Sequence, residues 1–212
     1  RTYLARGVAH AVKRADANFA RYNHGMDQLG MFAKYWEPGR VKTRLAAAIG
    51  DQAASSLYRR FVLTLVQRFA EVGRRRVLAY TPAERRTEFE SLAAEDWQLA
   101  AQAGGNLGER MQAYFANAFR SGATRVVLIG SDSPNLPLDY VNDAFQQLDD
   151  APVVLGPADD GGYYLVGAAG SVPPIFAGIQ WSSPQVWAQT LNRLRDADCP
   201  YGVLPVWYDV DD

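Results

Sequence analysis

Short apolar runs alternate along this chain with longer amphipathic stretches, and the alternation predicts strands separated by helices. The strand-like runs are Leu29 to Ala33, Arg76 to Tyr80, Trp97 to Ala100, Arg125 to Gly130, Pro152 to Gly156, Tyr163 to Gly167 and Val203 to Tyr208. The clearest helix begins at Asp51 as N-cap, places Leu57, Phe61, Leu65, Val66 and Phe69 three and four apart, and ends at Gly73. Further helices are predicted over Glu84 to Ala94, Leu107 to Arg120, Leu138 to Leu148 and Ser183 to Arg195, the last opened by a Ser183 cap with Pro184 behind it. Strand and helix at this spacing predict an α/β fold, a three-layer sandwich around a mostly parallel sheet, with ligands at the carboxyl ends of the strands. Val126 to Ile129 is the most apolar run and is expected at the centre of that sheet. After Pro152 two strands flank an Asp-Gly-Gly turn with no room for a helix, which predicts an antiparallel excursion at the sheet edge.

Chemistry collects at the predicted strand ends. Lys34, Arg40, Lys42 and Arg44 fall within eleven residues after the first strand, where positive charge would meet an anion such as phosphate. The loop lacks the glycine spacing of a Walker A sequence and reads equally as a solvated basic turn. Gly104 and Gly105 would let backbone amides approach a flat ligand such as a base, with Arg110 in the following helical turn; a plain loop capped by Asn106 is the other reading. Asp132, at the tip of the central strand, is where a divalent cation would be held, or it closes a turn before Ser133 and Pro134. Asp160 and Gly161, followed by Tyr163 and Tyr164, either face an acceptor or a metal or form a hairpin turn. Asp209 and Asp211 would complete a magnesium site with Asp132 if the sheet returns this end of the chain to the centre; otherwise they belong to a solvated acidic tail.

Composition narrows the chemistry. The 212 residues, 48% apolar, are enough for one sizeable core, and no linker interrupts residues 27–212, which are expected to form a single domain. A net charge of -1 with both signs interspersed leaves no electrostatic footprint for nucleic acid, and no apolar run approaches the roughly eighteen residues of a membrane span. The single cysteine, Cys199, fits a reducing, cytoplasmic setting. Both histidines, His10 and His24, precede the first core strand, which removes imidazole-based hydrolysis and zinc chemistry and leaves carboxylates, Lys, Arg and hydroxyls, the equipment of metal-assisted phosphoryl chemistry. Residues 1–26 carry five basic side chains against Asp16 alone and are expected to be a mobile or loosely helical extension.

Taken together, Lys34 to Leu45 (KYWEPGRVKTRL), Gly104 to Met111 (GGNLGERM), Gly130 to Pro137 (GSDSPNLP) and Gly156 to Leu165 (GPADDGGYYL) resemble an uncharacterised glycosyltransferase-like family with the GT-A nucleotide-diphospho-sugar transferase fold. The chain is similar, more distantly, to 2-phospho-L-lactate guanylyltransferase and the molybdenum-cofactor nucleotidyltransferases. The resemblance implies that Arg40, Lys42 and Arg44 bind nucleotide phosphates, that Gly104, Gly105 and Arg110 lie near the base, that Asp132 holds the metal, and that Asp160 and Gly161 face the acceptor. The expected activity is a transferase dependent on magnesium (or manganese), using a nucleoside triphosphate or nucleotide-sugar and a small-molecule acceptor. Nucleotidyl transfer is preferred because the basic loop suits a triphosphate and its pyrophosphate leaving group, with Lys42, Asp132 and Asp160 as catalytic candidates. Glycosyl transfer and nucleotide binding without turnover remain the alternatives.

Overall fold

The computed structural model describes residues 25–93, 95–172 and 175–211, so the expected extension lies almost wholly outside the described residues. Seven strands, β1 (Met26–Lys34), β2 (Arg75–Thr81), β3 (Trp97–Ala101), β4 (Ala123–Ile129), β5 (Val153–Pro157), β6 (Tyr163–Ala169) and β7 (Tyr201–Val203), form one sheet in the order β3-β2-β1-β4-β6-β5-β7. The helices are α1 (Thr43–Ile49), α2 (Asp51–Arg68), α3 (Arg86–Glu90), α4 (Leu107–Arg120), α5 (Leu138–Gln147) and α6 (Val186–Asp196). The first four strands of the order are mutually parallel, and β5 pairs in parallel with β7. Only β6 runs the other way, antiparallel to both β4 and β5. The antiparallel excursion therefore exists, and it sits in the outer half of the sheet with β5 and β7 beyond it.

Side-chain alternation on the strands divides the core into two layers. On one face Leu29, Met31, Val127 and Ile129 pack against Phe61, Val62 and Leu65 of α2 and Val141 and Phe145 of α5. On the other, Val77, Val126, Leu128 and Val153 meet Met111 and Phe115 of α4 and Leu194 of α6. Each fully buried side chain of this size contributes about 2 kcal/mol. The central strand, β4, is the fourth of seven, as its unbroken apolar run predicts. Gly30 lets α4 approach the sheet: a Cβ there would collide with the Tyr114 hydroxyl, which instead accepts a hydrogen bond from Gln28 at 2.8 Å. At the opposite end of the strands Arg125 makes a two-point ion pair with Asp27 and donates to the Phe145 carbonyl, tying β4 to β1 and to α5.

Several expected boundaries move, among them the end of α2, which stops at Arg68 with Phe69 as its cap instead of reaching Gly73. The last strand is Tyr201–Val203, not Val203 to Tyr208, because Pro205 has no N–H to offer; beyond it only Trp207 bridges back, to Ala158. The expected helix over Glu84 to Ala94 is a 3₁₀ turn, Ala83–Arg85, and the short α3, which ends just after Phe89 is anchored in the core, with Leu92 buried beyond its end. Gly50 rather than Asp51 caps α2, leaving the Asp51 carboxylate in the first turn, where the helix dipole favours it. Ser183 is not the N-cap of α6, which starts at Val186 behind Gln185: its hydroxyl donates to the Gln180 carbonyl and accepts from the Gln185 N–H at 3.4 Å. Among the described residues no helix is long and apolar enough to cross a membrane.

Candidate functional site

The carboxyl ends of β1 and β4 with the loops that follow them, and the amino end of the antiparallel β6, enclose a cleft of about 480 Å³ whose wall includes Lys34, Arg40, Lys42, Arg110, Asp132 and Asp209. Lys42 is the innermost of these cations. It caps α1 in a left-handed conformation (φ 47°, ψ 47°) that a lysine seldom adopts, and its side chain is 3% exposed. Its ammonium lies 2.6 Å from Asp132 Oδ1 and 2.8 Å from Asp211 Oδ1. Burial works against the charge, but Asp132 and Asp211 outweigh it and leave the pKa of Lys42 above the ordinary lysine value. Arg40, on the loop before α1, and Arg44, in the first turn of α1, have side chains 78% exposed; Arg40 meets Glu37 at 3.2 Å and Arg44 approaches Asp211 Oδ2 at 3.7 Å.

The sheet does return the C-terminal segment to the centre. Trp207 N–H donates to the Pro157 carbonyl, Asp159 N–H to the Trp207 carbonyl, and Val210 N–H to the Asp132 carbonyl. Two serines flanking Asp132 hold its loop from opposite sides. Ser133 Oγ donates to Asp209 Oδ1 at 2.7 Å, with the Tyr208 carbonyl at 2.9 Å. Ser131 Oγ is 2.6 Å from the hydroxyl of Tyr58, a buried residue of α2 that also accepts from the Lys34 N–H at 3.0 Å. Burial, reinforced by the charges of Asp132 and Asp160 and opposed by Ser133 and Lys42, pushes the Asp209 carboxyl up to about 6. Burial and then Asp132 likewise raise the Tyr58 phenol well above its usual value, so it stays a neutral hydrogen-bonding group.

On the far side of the cleft stands Arg110. The cap expected at Asn106 is present and is one half of a capping box: Asn106 Oδ1 accepts from Glu109 N–H and Glu109 accepts from Asn106 N–H, so the first turn of α4 is held where Arg110 leaves it. The guanidinium of Arg110 donates to Gln102 Oε1 at 2.9 Å, and the Gln102 amide donates to the carbonyls of Ala79 and Ala33 at the ends of β2 and β1. No carboxylate pairs with Arg110 among the described residues, and burial lowers its pKa. A smaller cavity of about 180 Å³ adjoins here, sharing Phe32, Gln102 and Arg110 with the main cleft.

The structure thus brings Lys34, Arg40, Lys42, Arg110, Asp132 and Asp209 together, and Asp211 joins them through Lys42. Arg44, Gly104, Gly105, Asp160 and Gly161 lie off the cleft wall. Asp160 accepts from the Gly162 N–H at 2.8 Å and so closes its own turn, while Gly161 (φ 89°) runs close against the backbone of Pro184. Tyr58, Ser131, Ser133 and Gln102 escape the sequence reading. The serines sit visibly beside Asp132, whereas a tyrosine inside a helical pattern carries no signal beyond core packing.

As a metal centre the site is partial. Among the described residues no three His, Cys, Asp or Glu side chains are grouped closely enough to hold an ion, and the Lys42 ammonium lies against one oxygen each of Asp132 and Asp211. The donors present are carboxylate oxygens, with Asp209 raised by burial and then by the charge of its acidic neighbours, and that chemistry fits a hard cation such as magnesium or manganese.

A family profile described as an uncharacterized protein conserved in bacteria (DUF2064) matches residues 64–183, more than half of the chain. A protein of Desulfovibrio desulfuricans G20, described provisionally as a nucleotide-diphospho-sugar transferase, is 39% identical, with 87% of this chain and 82% of that one covered and a TM-score of 0.83. The fold extends to Rv0371c of Mycobacterium tuberculosis, solved as a manganese complex (16% identity, 89% and 93% covered, TM-score 0.53). It extends also to a cytidylyltransferase of Leptospira borgpetersenii (10% identity, 88% and 79% covered, TM-score 0.55). No curated protein matches the sequence.

Proposed function

The chain belongs to the DUF2064 family and has the nucleotide-diphospho-sugar transferase fold, and from that premise we propose that it is a metal-dependent transferase acting on a nucleoside triphosphate or a nucleotide-sugar, with nucleotidyl transfer preferred. The observation that carries the reading is the buried ammonium of Lys42 set between the carboxylates of Asp132 and Asp211, with Arg40 exposed before α1 and Arg44 exposed in its first turn. A polyphosphate entering the cleft meets one enclosed cation and two mobile guanidiniums, enough to neutralise charge that develops on a departing pyrophosphate. Lys34 adds charge from the end of β1. Arg110, with Gly104 and Gly105 beside it, takes the base end of the nucleotide, and the Asp160–Gly161 turn borders the small-molecule acceptor.

Asp132 and Asp209 would hold the divalent cation, which when bound draws charge from the phosphates; Asp211 serves as the partner of Lys42. Magnesium commonly takes only one or two protein carboxylates and completes its shell with phosphate oxygens and water, so two aspartates suffice here. Manganese is the natural first choice for assay, since a structure sharing the fold was solved with it. Residues 27–212 are assigned as one catalytic unit, and the free Cys199 accords with a reducing cytoplasm.

Glycosyl transfer on the same scaffold is the second reading, favoured by the description of the Desulfovibrio relative. Product analysis separates them: pyrophosphate release supports nucleotidyl transfer and nucleoside diphosphate release supports glycosyl transfer. Lys42→Ala is expected to cut turnover far more than stability; a fully active variant would overturn the assignment. Binding of nucleotides without any product across acceptors would move the protein to a sensing role.

A further inference from the structure

We propose that Lys42 is the built-in counterion of this site, so that the protein takes up its divalent cation only as a metal–polyphosphate complex and not as the free ion. The inference rests on the nucleotide reading above and says how that site is loaded. Lys42 Nζ is within hydrogen-bonding distance of both Asp132 Oδ1 and Asp211 Oδ1, and the side chain is almost fully enclosed. A free dication arriving at Asp132 would meet an ammonium already on that oxygen, in a partly dry site where like charges repel strongly. Asp132 and Asp211 already share the positive charge of Lys42, so the bare metal has less to gain there than at carboxylates with no cation between them.

A polyphosphate changes that balance. Its oxygens are suitable partners for an ammonium, and Arg40 and Arg44 are exposed and ready to hold it. Once Nζ turns from Asp132 to a phosphate oxygen, Asp132 is free for the metal, and the same phosphate supplies the oxygens that the two aspartates lack. The backbone permits the exchange. Lys42 sits in a strained left-handed conformation, and the helix after it, α1, buries none of its residues, so the segment can shift without opening the core.

The test uses manganese without nucleotide. Paramagnetic resonance of free Mn²⁺ should show weak uptake by the wild-type chain, and Lys42→Met should bind the ion about tenfold or more tightly, because a like charge has been removed. Wild-type binding as tight as that of the variant overturns the proposal. Should Lys42→Met not fold, melting of the wild-type chain decides. Mn²⁺ alone should leave Tm unchanged, inorganic pyrophosphate alone should raise it slightly, and both together should raise it by more than the sum. If Mn²⁺ alone raises Tm and a nucleoside triphosphate raises it further, the counterion proposal is wrong while the nucleotide reading stands. If neither pyrophosphate nor any nucleoside triphosphate shifts Tm, with or without Mn²⁺, both fall.

Discussion

The hydroxyl of Ser133 donates to Asp209 Oδ1 at 2.7 Å, and this contact joins the loop after the central strand to a segment 76 positions later in the chain. Asp209 is half-buried among other acids, so the bond is one of the few influences holding its carboxyl down. Ser133→Ala should therefore raise the Asp209 pKa further and cost about 1–3 kcal/mol. A carboxyl-carbon titration by NMR together with urea unfolding checks both effects, and an unmoved titration would break the link.

Asp209 also gives a pH signature. Its folded pKa, about 6, stands above the ordinary 3.8, so the folded chain holds the extra proton between those values. Its contribution to stability without metal should then fall as pH rises through that window, and level off above it. Metal–nucleotide binding should do the opposite and strengthen from pH 5 to about 7, since a ligand carboxyl must be deprotonated. Calorimetric titration across that range, with Asp209→Asn as the flat control, tests the sign.

Arg110 and Gln102 should separate by their phenotypes. Arg110→Met removes a guanidinium that has no carboxylate partner, so nucleotide affinity should drop roughly tenfold with little change in Tm. Gln102→Leu additionally abandons the carbonyls of Ala33 and Ala79, so it should lower both affinity and Tm. Equal effects on Tm would mean that Arg110 is structural.

Tyr58→Phe leaves the Lys34 N–H and the Ser131 hydroxyl without their shared partner beside the cleft. A loss of about 1–3 kcal/mol is expected, with the native fold retained because the ring stays packed. A weaker metal–nucleotide affinity should accompany it, as the Asp132 loop loses its inner support; unfolding and binding measured on the same variant check the pair.

Most of the architecture was legible in the residues. Apolar runs of strand length, the pattern of α2 and the Asn106 cap are local features, and helix and strand periodicities are written in a few neighbouring positions. The central place of β4 also followed locally, because only a strand covered on both faces tolerates an unbroken apolar run. Boundaries were less legible where proline and short anchors decide, as at Pro205 and α3.

The sequence by itself determined the fold class, the strand ends at which chemistry gathers, and the residue types available there. Tertiary structure alone decided the pairings. It delivered Asp209 and Asp211 to Asp132 through backbone bonds of Asp159, Trp207 and Val210, and set Lys42 between two of those acids. It also recruited Tyr58 from the middle of α2 and Gln102 from the end of β3. The physical reason is that a site built from loops distant along the chain depends on how the strands are ordered and how the chain returns. Local propensity carries no information on which distant carboxylate a buried ammonium will meet.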